Sequence, residues 1–97
     1  MITTKQRAYL RGLANKVPAL YQVGKGGVTE NFIAMILDSL EKNELIKITV
    51  LENSGCTARE ICNEVVAATE SEPVQVIGSK FVIYKPSVET PTIVLPK

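Results

Sequence analysis

Seven consecutive residues, Val23-Gly24-Lys25-Gly26-Gly27-Val28-Thr29, bring three glycines, one lysine and a helix-capping threonine into one short stretch. Glycine has no Cβ, so such a stretch can take left-handed backbone angles and let a phosphate approach its amides. A helix starting after Thr29 adds unpaired N–H groups and a partial positive charge at the same point. Lys25 supplies one full charge. The chemistry predicted is the holding of a phosphate.

Spacing separates the phosphate motifs that compete for this loop. Walker A requires G-x-x-x-x-G-K-[ST], but here only Lys25 lies between the first two glycines, and neither Ser nor Thr follows it directly. A dinucleotide fingerprint requires G-x-G-x-x-G, and Gly24-x-Gly26-x-x-Thr29 lacks the third glycine. Glu44 lies about the right distance on for a ribose acid but falls before a strand, not at its end. The remaining pattern is G-x-x-G, Gly24 to Gly27, which in KH-type modules grips the backbone of about four nucleotides. The same pattern also serves as a plain turn, and its position before a helix and within a basic segment favours the grip.

That segment is one-signed. Residues 1–29 hold Lys5, Arg7, Arg11, Lys16 and Lys25 with no acid, whereas residues 30–97 hold six bases and ten acids, so a net +1 conceals halves of +5 and −4. Local potential governs capture of a polyanion, and the positive half contains the loop. Lys5 and Lys16 taken singly read as solubilising surface; the set of five reads as a polyanion-binding surface.

The elements that must position these residues follow from hydrophobic period. Leu10, Leu13, Ala14 and Val17 recur at helical spacing behind a Thr3-x-x-Gln6 capping box, predicting a helix from about Thr3 to Asn15 that stops before Pro18. Arg7 and Arg11 sit one turn apart on it. Ala19 to Val23 reads as a strand ending at the glycine loop. Thr29 caps a second helix whose Ile33, Ile36, Leu37 and Leu40 form one face and which ends near Asn43.

Leu45 to Leu51, rich in β-branched residues, is expected to be a central strand. Thr57-x-x-Glu60 caps a third helix carrying Ala58, Ile61, Cys62, Val65 and Thr69 on one side, which makes Cys62 core. Val74 to Ile77 and Lys80 to Lys85 form a hairpin around Gly78-Ser79. The order α-β-α-β-α-β-β predicts a single two-layer α/β domain, with right-handed crossovers placing the second and third helices on one side of the sheet. A tail holding Pro86, Pro91 and Pro96 shows too little periodicity to place, though Ile93-Val94-Leu95 can pack on an edge.

Composition excludes several classes of function. The chain's 97 residues, 45% of them hydrophobic, suffice for one compact core and not two. No apolar run approaches the roughly 18–20 residues of a membrane span, and Met1 to Lys5 lacks a secretory h-region, so a cytoplasmic location is expected. Cys56 and Cys62 form no C-x-x-C pair and the chain has no histidine, so two reduced thiols, no metal and no cofactor are expected. Without histidine or a G-x-S-x-G motif, neither a triad nor a histidine-based proton shuttle is available. Glu41 and Glu44, at the end of the second helix, read as solvated surface. No catalysis and no small-molecule substrate are expected.

Four ordered stretches carry a family resemblance: Thr4-Lys5-Gln6-Arg7-Ala8-Tyr9-Leu10-Arg11-Gly12-Leu13-Ala14, the loop Val23 to Glu30, the strand start Glu44-Leu45-Ile46-Lys47-Ile48, and Val74-Gln75-Val76-Ile77-Gly78 through Tyr84-Lys85-Pro86. With the closing Ile93-Val94-Leu95-Pro96-Lys97 they span nearly the whole chain, and together they resemble the CRM domain in its stand-alone bacterial YhbY-like form. The resemblance implies an RNA-binding domain over residues 1–86 followed by a tail over 87–97. It also implies a four-stranded mixed sheet similar to the C-terminal domain of translation initiation factor three, and a role with precursors of the large ribosomal subunit.

In that family the G-x-x-G loop and nearby basic residues contact RNA, which carries over onto Gly24, Lys25, Gly26 and Gly27. Members commonly have arginine where this chain has Lys85. Lysine keeps the charge but not the bidentate fork, so Lys85 is a weaker RNA contact, as is Lys80.

The function expected is therefore that of a non-catalytic, monomeric RNA-binding protein of ribosome assembly. Amides of Gly26 and Gly27 and the helix start at Thr29 hold a phosphate, Lys25 pairs with it, and Lys5, Arg7 and Arg11 extend the contact. Tyr9, Tyr21 and Tyr84 read either as base-stacking residues or as core with one wet edge. The alternative is a protein-interaction module that docks a ribosomal protein through a sheet edge or the tail. Glu60, Glu64, Glu70 and Glu72 suit a basic partner in that version and otherwise form a solvated face.

Overall fold

Two reciprocal capping boxes start two of the helices. Thr3 Oγ1 accepts from the Gln6 N–H at 3.1 Å while Gln6 Oε1 accepts from the Thr3 N–H at 2.9 Å. Thr57 and Glu60 repeat the exchange at 3.1 and 2.9 Å. Each box satisfies amides that have no partner within the helix. In the computed structural model, which describes residues 2–89 and 91–96, these caps open α1 (Thr4–Ala14) and α3 (Ala58–Thr69). Thr29 accepts from the Phe32 N–H and opens α2 (Glu30–Asn43). Met1, Thr90 and Lys97, the last two belonging to the predicted tail, lie outside the described residues.

The strands are β1 (Ala19–Val23), β2 (Leu45–Val50), β3 (Glu72–Ile77) and β4 (Lys80–Tyr84), and a single 3₁₀ turn, Glu52–Ser54, intervenes between β2 and α3. They form one sheet in the order β1-β2-β4-β3. β1 runs parallel to β2, whereas β4 runs antiparallel to both neighbours. The sheet is mixed, β2 lies inside it, and the element order matches the sequence reading. Gly78, at φ 56°, turns the β3–β4 hairpin.

Alternation along β2 and β4 divides the core. Ile46, Ile48, Val50, Phe81 and Ile83 face a cluster with Ile36 and Leu40 of α2 and Ile61, Cys62 and Val65 of α3. Leu45, Val82 and Tyr84 point the other way, to Leu10 and Ala14 of α1. The expected two layers are thus three. The two crossover helices share one face, as right-handed crossovers require, but α1 precedes the first strand, belongs to no crossover and covers the opposite face.

The tail is also placed. Ile93 and Leu95 pack on the α1 side, leaving Val94 81% exposed. Its backbone is held at Glu44, the residue that ends α2. Among the described residues, no helix is long and apolar enough to cross a membrane.

Candidate nucleic-acid interface

Because β1 and β2 are parallel, the loops leaving them emerge at the same end of the sheet. There Leu51 N–H donates to Val23 O at 2.8 Å, and Val50 N–H donates to Ser79 O of the hairpin. This end therefore gathers the glycine loop, the 3₁₀ turn, the Gly78-Ser79 turn and the N-termini of α2 and α3.

Gly24 to Gly27 form a tight turn in which the Gly27 N–H donates to Gly24 O at 2.9 Å. The glycines differ in what requires them. Gly27 sits at φ 65°, where an L side chain is strained. A Cβ on Gly24 would stand 3.3 Å from Asn53 Oδ1 and 3.5 Å from Leu51 Cδ1. Gly26 meets neither demand, because its φ is not in the left-handed region and an added Cβ would touch nothing within 4 Å. Lys25 is exposed at the crown of the turn. Thr29 has its side chain committed to the helix cap, and Glu30 follows it in the first turn of α2.

The basic N-terminal segment does not converge on this loop. Arg7 donates through Nε to the carbonyl of Pro73 at 3.1 Å, at the start of β3. Pro73 pairs with Ile83 and that residue with Ile46, while the loop follows Val23, which pairs with Val50. Three strand intervals and four residues separate the two points, about 14 Å across the sheet and about 13 Å along it. Lys5 lies in the same first turn of α1, at that far end. Arg7 and Lys5 are thus removed from the glycine loop by the placement of α1 on the other face. Arg11 is exposed one helical turn further on, on the side that leads to Asn15.

In their place the fold brings lysines from later in the chain. Lys80 starts β4 beside the hairpin turn, and Lys47 projects from β2 on the α1 side, in register with Val82. A groove of about 330 Å³ lined by Asn15, Lys47, Gln75, Ile77, Lys80 and Val82 lies there. Sequence reading missed Lys47, although its position between Ile46 and Ile48, in a run that alternates from Ile46 to Val50, was the available signal. Lys85 instead caps α3, donating through Nζ to Thr69 O at 2.9 Å.

Two carboxylates read as solvated surface are structural. Glu44 is 1% exposed. Its Oε2 accepts from Ser87 N–H, and its Oε1 accepts from Thr92 N–H, Thr92 Oγ1 and Ile93 N–H, all at 2.7–2.9 Å. Burial alone would raise its pKa, but the amides of Ser87, Thr92 and Ile93 and the Thr92 hydroxyl outweigh burial and bring it down to about 2. Glu41 accepts from the Ser87 hydroxyl and from the Val88 N–H, which lower its pKa in that order. The sequence concealed this because the partners lie more than 40 residues away.

The tyrosines separate as well. Tyr84 is 3% exposed and belongs to the core, and Tyr21 donates its hydroxyl to Ser39 Oγ at 2.7 Å. Tyr9, on the outer side of α1, is the one with a substantially exposed ring.

Comparison with known proteins agrees with this architecture. The solution structure of the hypothetical protein SAV1595 from Staphylococcus aureus superposes with a TM-score of 0.78 at 45% identity, covering 99% of this chain and all of that one. A Bacillus subtilis relative named "Probable RNA-binding protein YqeI" is 42% identical over 96 residues, which is 99% of this chain and 100% of the relative. A Haemophilus influenzae relative named "RNA-binding protein" is 38% identical over 88 residues, covering 91% of this chain and 89% of its own length. The family model of the CRS1/YhbY (CRM) domain matches residues 2–85, and the chain belongs to that family.

Proposed function

We propose that this chain is a non-catalytic RNA-binding protein that grips the phosphate backbone at Gly24–Gly27 and acts on ribosomal RNA in precursors of the large subunit. The observation that carries the reading is Gly26. Among the described residues nothing stands within 4 Å of a Cβ added there and its φ is not left-handed, so the bare backbone is open to a ligand that approaches it closely. Lys25, next to it in the turn, is exposed, and the exposed start of α2 lies just beyond.

The names of the Bacillus and Haemophilus relatives support RNA as the ligand. The ribosomal precursor is taken from the motif resemblance alone. Docking through the tail is the weaker reading, since Glu41 and Glu44 already occupy the amides of Ser87, Val88, Thr92 and Ile93.

The test is sedimentation of lysate on a sucrose gradient, with the protein followed as wild type and as Lys25→Glu with Gly26→Asp, at low and moderate salt. Co-migration of the wild type with large-subunit precursors, lost in the variant and weakened by salt, is the expected result. A wild type that stays at the top of the gradient at low salt would remove ribosome assembly from the proposal. Purified protein that turned over RNA or a nucleotide would remove the non-catalytic reading.

A further inference from the structure

α1 covers only part of its face of the sheet. It packs on Leu45, Val74, Val82 and Tyr84, with Ile93 and Leu95 of the tail alongside. Toward the loop end the same face is open. The residues that cross it in register are Gln22, Thr49, Lys80 and Ile77, one from each strand, directly below the glycine turn. Gln22, Lys80 and Ile77 are exposed and Thr49 is half-buried.

Lys47 stands at the centre of this open area. It lines the 330 Å³ groove toward β3 and also a second groove of about 370 Å³ toward β1, whose floor includes Leu13, Val17, Pro18, Leu20 and Leu45 and which Lys16 borders. Among the described residues no carboxylate lines either groove. Among the described residues the one salt bridge joins Lys42 to Asp38, leaving Lys16, Lys47 and Lys80 without a carboxylate partner. Lys47 is half-buried in an interior strand, and a bound anion would match its charge there. The apolar ends of the face, Leu20 at 69% exposure and Ile77 at 61%, are open to solvent.

We propose that this open half of the sheet is a second RNA subsite, continuous with the glycine loop, that takes a single-stranded segment. Lys47 holds a phosphate between the two grooves and Lys80 a neighbouring one. A base lies in each groove against aliphatic side chains, Ile77 on one side and Leu20 on the other. Charge complementarity selects the occupant, since three unpaired lysines and no acid suit a polyanion, and flat bases between phosphates suit shallow apolar floors. The assignment rests on the RNA reading above and adds a strand path to it.

The test compares oligouridylates about four and about twelve nucleotides long by fluorescence anisotropy, the shorter matched to a G-x-x-G grip alone. The variants are Lys47→Met with Lys80→Gln, Lys80→Gln alone, and Lys25→Glu. Methionine keeps an aliphatic stem in place of that of Lys47, and Lys80 is exposed, so the single variant serves if the double one does not fold. The double variant is expected to bind the longer RNA about tenfold more weakly, with a log–log salt slope shallower by about 1.4, and to keep wild-type affinity for the shorter one. Unchanged affinity and slope on the longer RNA, with Lys25→Glu still impaired, would overturn the sheet subsite and leave the loop reading standing. A wild type that binds neither oligonucleotide would overturn both.

Discussion

Thr92 gives both its backbone N–H and its hydroxyl to one oxygen of Glu44, each at 2.7 Å. Glu44 ends α2 at φ 66°, a region where glycine is the usual occupant and any other residue is strained. A side chain is retained there because its carboxylate fastens the tail. Glu44→Gly is expected to relieve the backbone yet release Ser87, Thr92 and Ile93, seen as faster hydrogen exchange at their amides. Glu44→Gln turns an amide NH₂ toward one set of N–H donors and is expected to lower stability by about 2–3 kcal/mol in urea unfolding. Retained amide protection in Glu44→Gly would show that the tail is held by Ile93 and Leu95 alone.

Acid should act through the same carboxylate. The folded pKa of Glu44 is about 2 against an ordinary 4.5, so the folded state binds the proton less readily than the unfolded chain. Its contribution is fully present above pH 4.5 and is lost as pH falls toward about 2, a loss of about 3 kcal/mol. Glu41 and Glu60 are depressed as well and add in the same direction. Wild type should therefore lose stability steeply below pH 4.5, and Glu44→Gln should show a shallower acid limb. Parallel limbs for the two proteins would contradict this linkage.

Adjacent glycines of the loop should respond differently to the same substitution. Gly27→Ala forces a Cβ onto a left-handed residue and is expected to cost about 1 kcal/mol of stability. Gly26→Ala meets nothing and should stay within about 0.5 kcal/mol of wild type, yet weaken RNA binding by crowding the approaching phosphate. Thermal unfolding and anisotropy on the same samples separate the effects; wild-type affinity in Gly26→Ala would take away the observation on which the proposed grip depends.

The two cysteines differ in reach. Cys62 is 1% exposed within the α2–α3 core, and burial raises its pKa while Arg59 nearby lowers it less. Cys56 is exposed in the loop before α3. Native protein treated with iodoacetamide near neutral pH should be alkylated at Cys56 and spared at Cys62 until unfolded. Equal labelling in the native state would mean that α3 opens readily.

What was legible in the sequence is what is decided locally. Thr3 with Gln6, and Thr57 with Glu60, are read correctly because both partners of each box lie within one helical turn. The glycine turn and the β2 strand are legible for the same reason. The tail was not, because the acceptors that place it, Glu41 and Glu44, sit in another element and their spacing to Ser87 and Thr92 carries no periodic signal. Nor was the layer count, since nothing local says which face a helix lying outside any crossover will cover. The basic segment misled for that reason: charges counted together along the chain were divided by the sheet, and Lys47 and Lys80 replaced Lys5 and Arg7 near the loop.

That division predicts opposite behaviour from two arginines one helical turn apart. Arg7 spends its Nε on the Pro73 carbonyl and is half-buried against β3. Arg7→Gln removes a charged donor from a partly buried carbonyl and should cost about 1 kcal/mol of stability, while RNA affinity stays within about twofold of wild type because the loop lies roughly 20 Å away. Arg11 is exposed on the side of α1 that leads to Asn15 and the Lys47–Lys80 groove. Arg11→Gln should leave stability unchanged and make the salt dependence on a long single strand shallower by about 0.7, the share of one phosphate contact. Urea unfolding and salt-dependent anisotropy on both variants decide the matter. If Arg7→Gln proves the more damaging to RNA binding, the strand path runs over the start of β3, away from the glycine loop, and the interface must be redrawn there.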